Sequence, residues 1–295
     1  MDYTKRELYE WCRIPVNKLV DHPGRKIPLR ICKDSLEMGQ IMARELVDEI
    51  LEHNARSEPT HAILPCGPTC WYQPFTNLVN RERVSLHNLV VFHMDESLDW
   101  QGRELPYDHP FNFRGYMERN FYNPVDSELA VPIENRLWLN LHSLESIVEK
   151  VTHTPIDLTY GGLGQDGHIA YNQSRRHPYS QITLAELRQS SARIQENNLD
   201  TVIAIAQRNF GCAYQFVPPM SVTLGVKECL SARKVRIFTD TGAWKQTALR
   251  VALFGPLTVE YPVTLLQEHP NALITATVAT ATHPISEHPE WDLGV

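Results

Sequence analysis

Short apolar runs that alternate with longer amphipathic ones restrict the fold of this chain more than any other feature. Ile27 to Cys32 reads as a strand. The run after it, LEMGQIMARELVDEILEHNA with Ser35 as its N-cap, repeats apolar residues every three and four positions, as a helix packed on one side does. The unit returns as HAILP then TCWYQPFTNLVN, as NLVVFHMDE then FNFRGYMERNFY, as IDLTYGGLG then a helical segment near LAELRQSSARI, and as KVRIFTD then AWKQTALRVALF. NALITATV closes the series as a last strand. Strands separated by helix-length connections pair in parallel through right-handed crossovers, so the expected fold is α/β: an open, mostly parallel sheet with helices on both faces. A chain of 295 residues with 42% hydrophobic content can cover both faces of such a sheet. The expected organisation is an N-terminal extension over 1–26, a single α/β domain over 27–280 and a tail over 281–295.

Charge and composition exclude several classes. The 28 Lys and Arg against 35 Asp and Glu give a net charge of -7, a field that repels nucleic acid and anionic membranes while leaving room for one local anion pocket. The start of the chain has no apolar core of signal-peptide length, and no 18-residue apolar run follows, so the expected location is the cytoplasm, away from membranes. Six scattered cysteines fit reduced thiols. Cys66 and Cys70 form a lone C-x3-C pair, and the 13 histidines show no metal-ligand spacing, so no metal site is expected. Amphipathic surface helices are compatible with a homo-oligomer but do not identify one.

In an open α/β sheet the working residues sit in loops beyond the carboxyl ends of the strands. The polar residues gather there: Cys66-Gly67-Pro68-Thr69, Met94-Asp95-Glu96, Gly164-Gln165-Asp166-Gly167-His168 and Asp240-Thr241-Gly242. Glycines at 162, 164 and 167 allow close backbone approach to a bound group. Asp166 beside His168 supplies a carboxylate that can hold an imidazole suited to proton transfer near neutrality. Asp95, at the rim of a pocket and partly desolvated, would be a competent base toward a carbon-bound proton. Thr69, at a strand-to-helix turn, could hold a phosphate together with helix amides, and Arg193 and Lys245 could supply compensating charge.

Three segments carry a family resemblance: F-H-M-D-E (Phe92 to Glu96), H-P-F-N-F-R-G-Y-M-E-R-N-F (His109 to Phe121) and G-L-G-Q-D-G-H-I-A-Y-N (Gly162 to Asn172). From about Ile27 to Val278 the chain resembles the glucosamine-6-phosphate deaminase/isomerase family, whose sister branch is the 6-phosphogluconolactonases. The second segment and the Ala-Tyr-Asn of the third resemble the deaminase branch. The resemblance implies a Rossmann-like fold of the deaminase/isomerase type and conversion of an amino-sugar phosphate and water into a ketose phosphate and ammonia, with no metal and no organic cofactor. It implies a small-molecule phosphorylated sugar as the partner. Asp95 would be the base that moves a proton between C2 and C1. His168 would open the sugar ring, oriented by Asp166. Thr69, Arg193 and Lys245 would hold the phosphate, and Gly67, Glu96 and Gly164 would line the substrate.

Two departures stand out. Gln173 occupies the place where the family has a glutamate completing the acid-base relay, and an amide cannot exchange a proton. Pro68 removes one N–H from the phosphate loop. The alternatives these leave are a lactonase-like hydrolase and a sugar-phosphate binder without turnover.

Overall fold

The computed structural model describes residues 2–174, 179 and 181–294. Its strands are β1 (Leu29–Cys32), β2 (Thr60–Leu64), β3 (Leu89–His93), β4 (Asp95–Leu98), β5 (Arg136–Leu137), β6 (Leu158–Gly162), β7 (Arg193–Glu196), β8 (Met220–Thr223), β9 (Lys234–Thr239) and β10 (Ala272–Thr277). The longer helices are α1 (Lys5–Cys12), α2 (Ser35–Ala55), α3 (Tyr72–Glu82), α4 (Leu144–His153), α5 (Leu199–Asn209) and α6 (Gln246–Phe254), joined by shorter turns of helix.

Among the described residues, seven strands pair in parallel in the order β1-β10-β9-β6-β2-β3-β5. The sheet and its helices match the expected class. Strand residues alternate between two cores: Ala62, Leu64, Val91 and Phe238 pack with Met42 and Leu46 of α2 and Phe75 of α3, whereas Ile63, Phe92 and Ile237 pack with Leu249 and Leu253 of α6. A side-chain period of two on each strand, with both sets apolar, is what a sheet covered on both faces requires.

The order matters for function. β9, β6, β2 and β3 are consecutive neighbours, so the four polar loops that follow them emerge side by side at one edge.

A second sheet was not foreseen. β4 pairs antiparallel with β8, and β8 with β7. The chain leaves β3 and enters β4 at Met94, whose N–H donates to Leu64 O at 3.0 Å and whose carbonyl accepts from Leu224 N at 2.9 Å. Asp95 therefore stands at the junction of the two sheets. The helix expected near LAELRQSSARI is confined to Leu184–Arg188, and Arg193–Glu196 is strand β7 instead, because its ladder to β8 satisfies backbone groups that a longer helix would have paired internally. The N-cap of α2 is Asp34, one residue earlier than Ser35, since its carboxylate accepts from Glu37 N at 3.0 Å. The first 26 residues do not stand apart: Cys12 and Leu19 are buried, and the Arg250 guanidinium of α6 donates to Ile14 O at 2.9 Å and Ala281 O at 2.8 Å, tying both ends of the chain to this helix. No helix among the described residues is long and apolar enough to cross a membrane.

Candidate active site

The four loops close around one cavity of about 570 Å³ at the carboxyl edge of the sheet. Gly67, Thr69, Asp95, Gly164, His168 and Lys245 all line it, so residues up to 178 positions apart in the chain (Gly67 to Lys245) share one small volume.

Asp95 begins β4 and is half-buried, and burial raises its carboxyl to about 8, with the charge of Glu96 pushing the same way. Glu96 points to the other face of the strand. Its carboxylate accepts from Phe113 N at 2.7 Å, Arg114 N at 2.8 Å and Ser97 N at 2.9 Å, which anchors the start of the Phe113–Met117 helix. Burial lifts it to about 7 against those three N–H bonds. The expectation that Glu96 meets the substrate is corrected: strand alternation sends neighbouring side chains to opposite faces, and this one caps a helix.

His168 presents one edge to the cavity. Its Nδ1 lies 2.5 Å from Asp166 Oδ1, and Asp166 is 2% exposed. Burial works to raise the Asp166 carboxyl, but His168 beside it and the hydrogen bonds it accepts outweigh this and hold it below the ordinary carboxylate range. With Nδ1 engaged, Nε2 is the ring nitrogen left for a ligand. Gln173 is buried behind the ring: its Nε2 is 3.5 Å from His168 Nδ1 and donates to Thr201 Oγ1 at 2.5 Å, while its Oε1 accepts from Asn198 N at 2.8 Å. Asp166 holds the imidazole from outside the cavity, and Gln173 packs behind it through its bonds to Thr201 and Asn198. Gly164 serves the ring as well as the cavity wall, because a Cβ there would overlap the His168 imidazole.

At the other end of the cavity lies a cradle for an anion. Among the described residues the backbone N–H groups of Cys66, Gly67 and Thr69 donate to no backbone acceptor, and Pro68 has none to give. Helix α3 starts only at Tyr72, so Thr69 belongs to the loop rather than to the helical turn. Burial lowers Lys245 to about 8, with Asp240 opposing and Arg208 adding to the effect. The thiol of Cys66 is raised, and that of Cys70 pushed up to about 12, both by burial, so both stay protonated.

Arg193 is elsewhere. It sits on β7 and its Nη1 donates to Asn172 Oδ1 at 2.9 Å, outside the cavity lining. Among the described residues, the arginine that reaches the cavity is Arg208, on α5, a helix absent from the expected series. The signal was present: Leu199, Val202, Ile203 and Ala206 recur at helical spacing. The correction has a structural cause, since β7 belongs to the small sheet and its ladder aims Arg193 at the loop behind the site.

His93, two residues before Asp95, is structural. Its ring stacks on Trp138 with centroids 3.4 Å apart, its Nδ1 meets Leu137 O at 3.0 Å and its Nε2 meets Tyr122 Oη at 2.9 Å, and burial lowers it to about 3. A second cluster, Glu49, His53 and Asp157, lies at the amino ends of the strands, where Arg233 and Lys234 pair with Glu49.

On the carboxyl edge of the parallel sheet a half-buried carboxyl and a carboxylate-held imidazole share one cavity with loop amides and, among the described residues, with Arg208 and Lys245; this defines an α/β protein with a polar pocket suited to a small anionic ligand. Comparison with known proteins narrows the class. No family model matches the chain. Glucosamine-6-phosphate deaminase of Aeromonas hydrophila subsp. hydrophila is 31% identical over 260 residues, covering 85% of this chain and 89% of that protein. The enzyme of that name from Aliivibrio fischeri strain MJ11 is 32% identical over the same shares. Among solved structures, a monomeric glucosamine-6-phosphate deaminase superposes with a TM-score of 0.72 at 21% identity, covering 86% of this chain and 98% of that one. The 6-phosphogluconolactonase from Trypanosoma cruzi superposes at 0.60 with 16% identity, covering 87% and 96%. The chain belongs to the glucosamine-6-phosphate deaminase family.

Proposed function

We propose that the protein is a sugar-phosphate aldose-ketose isomerase/deaminase that converts glucosamine 6-phosphate and water into fructose 6-phosphate and ammonia. The observation that carries the reading is the shared cavity: Asp95 and His168 face the same volume as Thr69, Arg208 and Lys245. The phosphate rests against the amides of Gly67 and Thr69 and between the two cations, which places the sugar carbons toward the proton-transfer groups. His168, held by Asp166, serves the ring oxygen through Nε2: the C1–O5 bond breaks, O5 takes a proton and the C1 hydroxyl gives one up. Asp95 then removes the proton from C2 as the C1 carbonyl oxygen takes one up, which gives an enolamine, and returns it to C1 as the nitrogen gives one up, leaving an imine at C2 that water hydrolyses to the ketone with loss of ammonia.

A carboxyl raised to about 8 suits the task of Asp95, because a base of high proton affinity removes a carbon-bound proton more readily than an ordinary aspartate does. Gln173 cannot carry charge, so Asp166 is the carboxylate left to stabilise an imidazolium at His168. The free thiols and the absence of a membrane-length apolar helix among the described residues support action in the cytoplasm.

The test is turnover of glucosamine 6-phosphate in D2O, followed by ammonia release and by NMR of the product. Ammonia together with deuterium at C1 is the expected result. Neither ammonia nor deuterium, from folded protein that binds the sugar, refutes the reading, and hydrolysis of 6-phosphogluconolactone without carbon-bound deuterium assigns the cavity to ester chemistry instead.

A further inference from the structure

The first turn of α5 makes an unusual set of contacts. Asn198 is the N-cap residue, yet its side chain does not cap the helix. Its Nδ2 turns back instead, donating to Ser174 O at 2.8 Å and to Asp166 Oδ2 at 3.3 Å, while its backbone N–H donates to Gln173 Oε1 at 2.8 Å. Thr201, one turn on and 2% exposed, receives Gln173 Nε2 at 2.5 Å and Gln165 Nε2 at 2.8 Å on the same hydroxyl oxygen. Four uncharged side chains thus join the start of α5 to both flanks of the His168 loop and to the carboxylate that holds the imidazole.

The other end of the helix reaches the anion cradle. Thr201, Ile205 and Arg208 all line the cavity, and their spacing of four and seven residues puts them on one face of α5. Seven residues of helix span about 10 Å, close to the separation that a hexose phosphate imposes between its ring and its phosphate oxygens. A helix of this length behaves as a rod, so a tilt at Thr201 is carried to Arg208.

We propose that Asn198 and Thr201 are positioning residues: they clamp α5 to the His168 loop, so that the imidazole with its carboxylate and the guanidinium at the phosphate end are set by one rigid helix. This rests on the reaction proposed above. In this arrangement Gln173 is a structural tie, its amide accepting from Asn198 and donating to Thr201 at once, a pairing that a carboxylate at 173 reproduces only if the Thr201 hydroxyl turns round to become the donor. Phosphate held at Arg208 and order at the imidazole are then linked, and linkage is reciprocal.

The experiment uses the full chain with Thr201→Val, which keeps shape and loses the hydroxyl, and Thr201→Ser, which restores it. Inorganic phosphate affinity is read from thermal protection, and kcat and KM from glucosamine 6-phosphate turnover. The clamp predicts that Thr201→Val weakens phosphate about fivefold or more and lowers kcat about tenfold, and that Thr201→Ser recovers both. In an Arg208→Ala background Thr201→Val should cause no further loss of phosphate affinity, because the cation it positions is gone. Independent, multiplying losses in that double variant overturn the proposal, as does a Thr201→Val protein whose phosphate affinity stays within twofold of the parent. Asn198→Asp, which keeps size but sets a like charge against Asp166, gives the second route to the same paired loss if Thr201→Val does not fold. A parent protein that binds phosphate but never turns over glucosamine 6-phosphate refutes the reaction, while the phosphate measurements still decide the clamp.

Discussion

Replacing Asp95 by Asn should do two things at once: abolish carbon proton transfer and stabilise the fold as pH rises. The carboxyl is raised from 3.8 to about 8 by burial and by Glu96. Between those values the folded protein holds a proton that the unfolded chain has released. Stability therefore falls as pH climbs through this window, and the contribution of Asp95 is fully present only below the unfolded value of 3.8. Four units at about 1.4 kcal/mol each set a ceiling of about 6 kcal/mol above pH 8. The side chain borders an open cavity, so water relieves much of that strain and about 2 to 3 kcal/mol is the expected gain for Asp95→Asn at pH 8. The assay is chemical or thermal unfolding of both proteins from pH 4 to 9, with deuterium incorporation measured in parallel. The stability gap should be near zero at pH 4 and widen toward pH 8, while turnover falls at least about a thousandfold. A gap that stays constant with pH, or that favours the parent at pH 8, refutes the account of a strained carboxyl; persistent deuterium incorporation by Asp95→Asn refutes its role as base.

Three further outcomes follow from the same geometry. Gly164→Ala puts a methyl group into the space of the His168 ring, so kcat should drop at least about a hundredfold with little change in phosphate affinity measured by thermal protection. Glu96→Ala leaves the N–H groups of Phe113 and Arg114 buried without an acceptor and should cost about 3 kcal/mol in denaturant unfolding; it also removes a charge that raises Asp95, so the acidic limb of the pH–rate profile, where the base must lose its proton to act, should move to lower pH. Lys245 loses its proton near pH 8 when burial lowers it, so KM should rise above that pH, and Lys245→Arg, whose charge persists, should remove the rise in a KM–pH series.

The residues that define the site were legible in the sequence to different depths, for reasons that are physical. The loops at 66–69, 94–96, 164–168 and 240–242 could be read from local pattern, because a short apolar run followed by Gly and polar residues says where a strand ends whatever surrounds it. Asp95 and His168 were readable for that reason. Arg193 and Arg208 were not distinguishable in this way: apolar spacing marks a helix before Arg208 but does not say what that helix packs against, and which arginine faces the cavity depends on β7 joining a second sheet through partners some thirty residues away.

What the sequence determined by itself is the alternation that demands a covered parallel sheet, the identity of the loops at its carboxyl edge and the presence of a carboxyl and an imidazole in them. Burial and short-range chemistry act on each residue in place, so these features need no partner to be recognised. What only the tertiary structure decided is direction. Asp95 opens on the cavity while Glu96 turns to cap a helix, Gln173 joins the imidazole loop to α5, and Arg208 rather than Arg193 reaches the anion cradle. Each of these depends on how β4, β7 and α5 register against elements distant in the chain, and a shift of one residue in a strand sends every side chain to the opposite face.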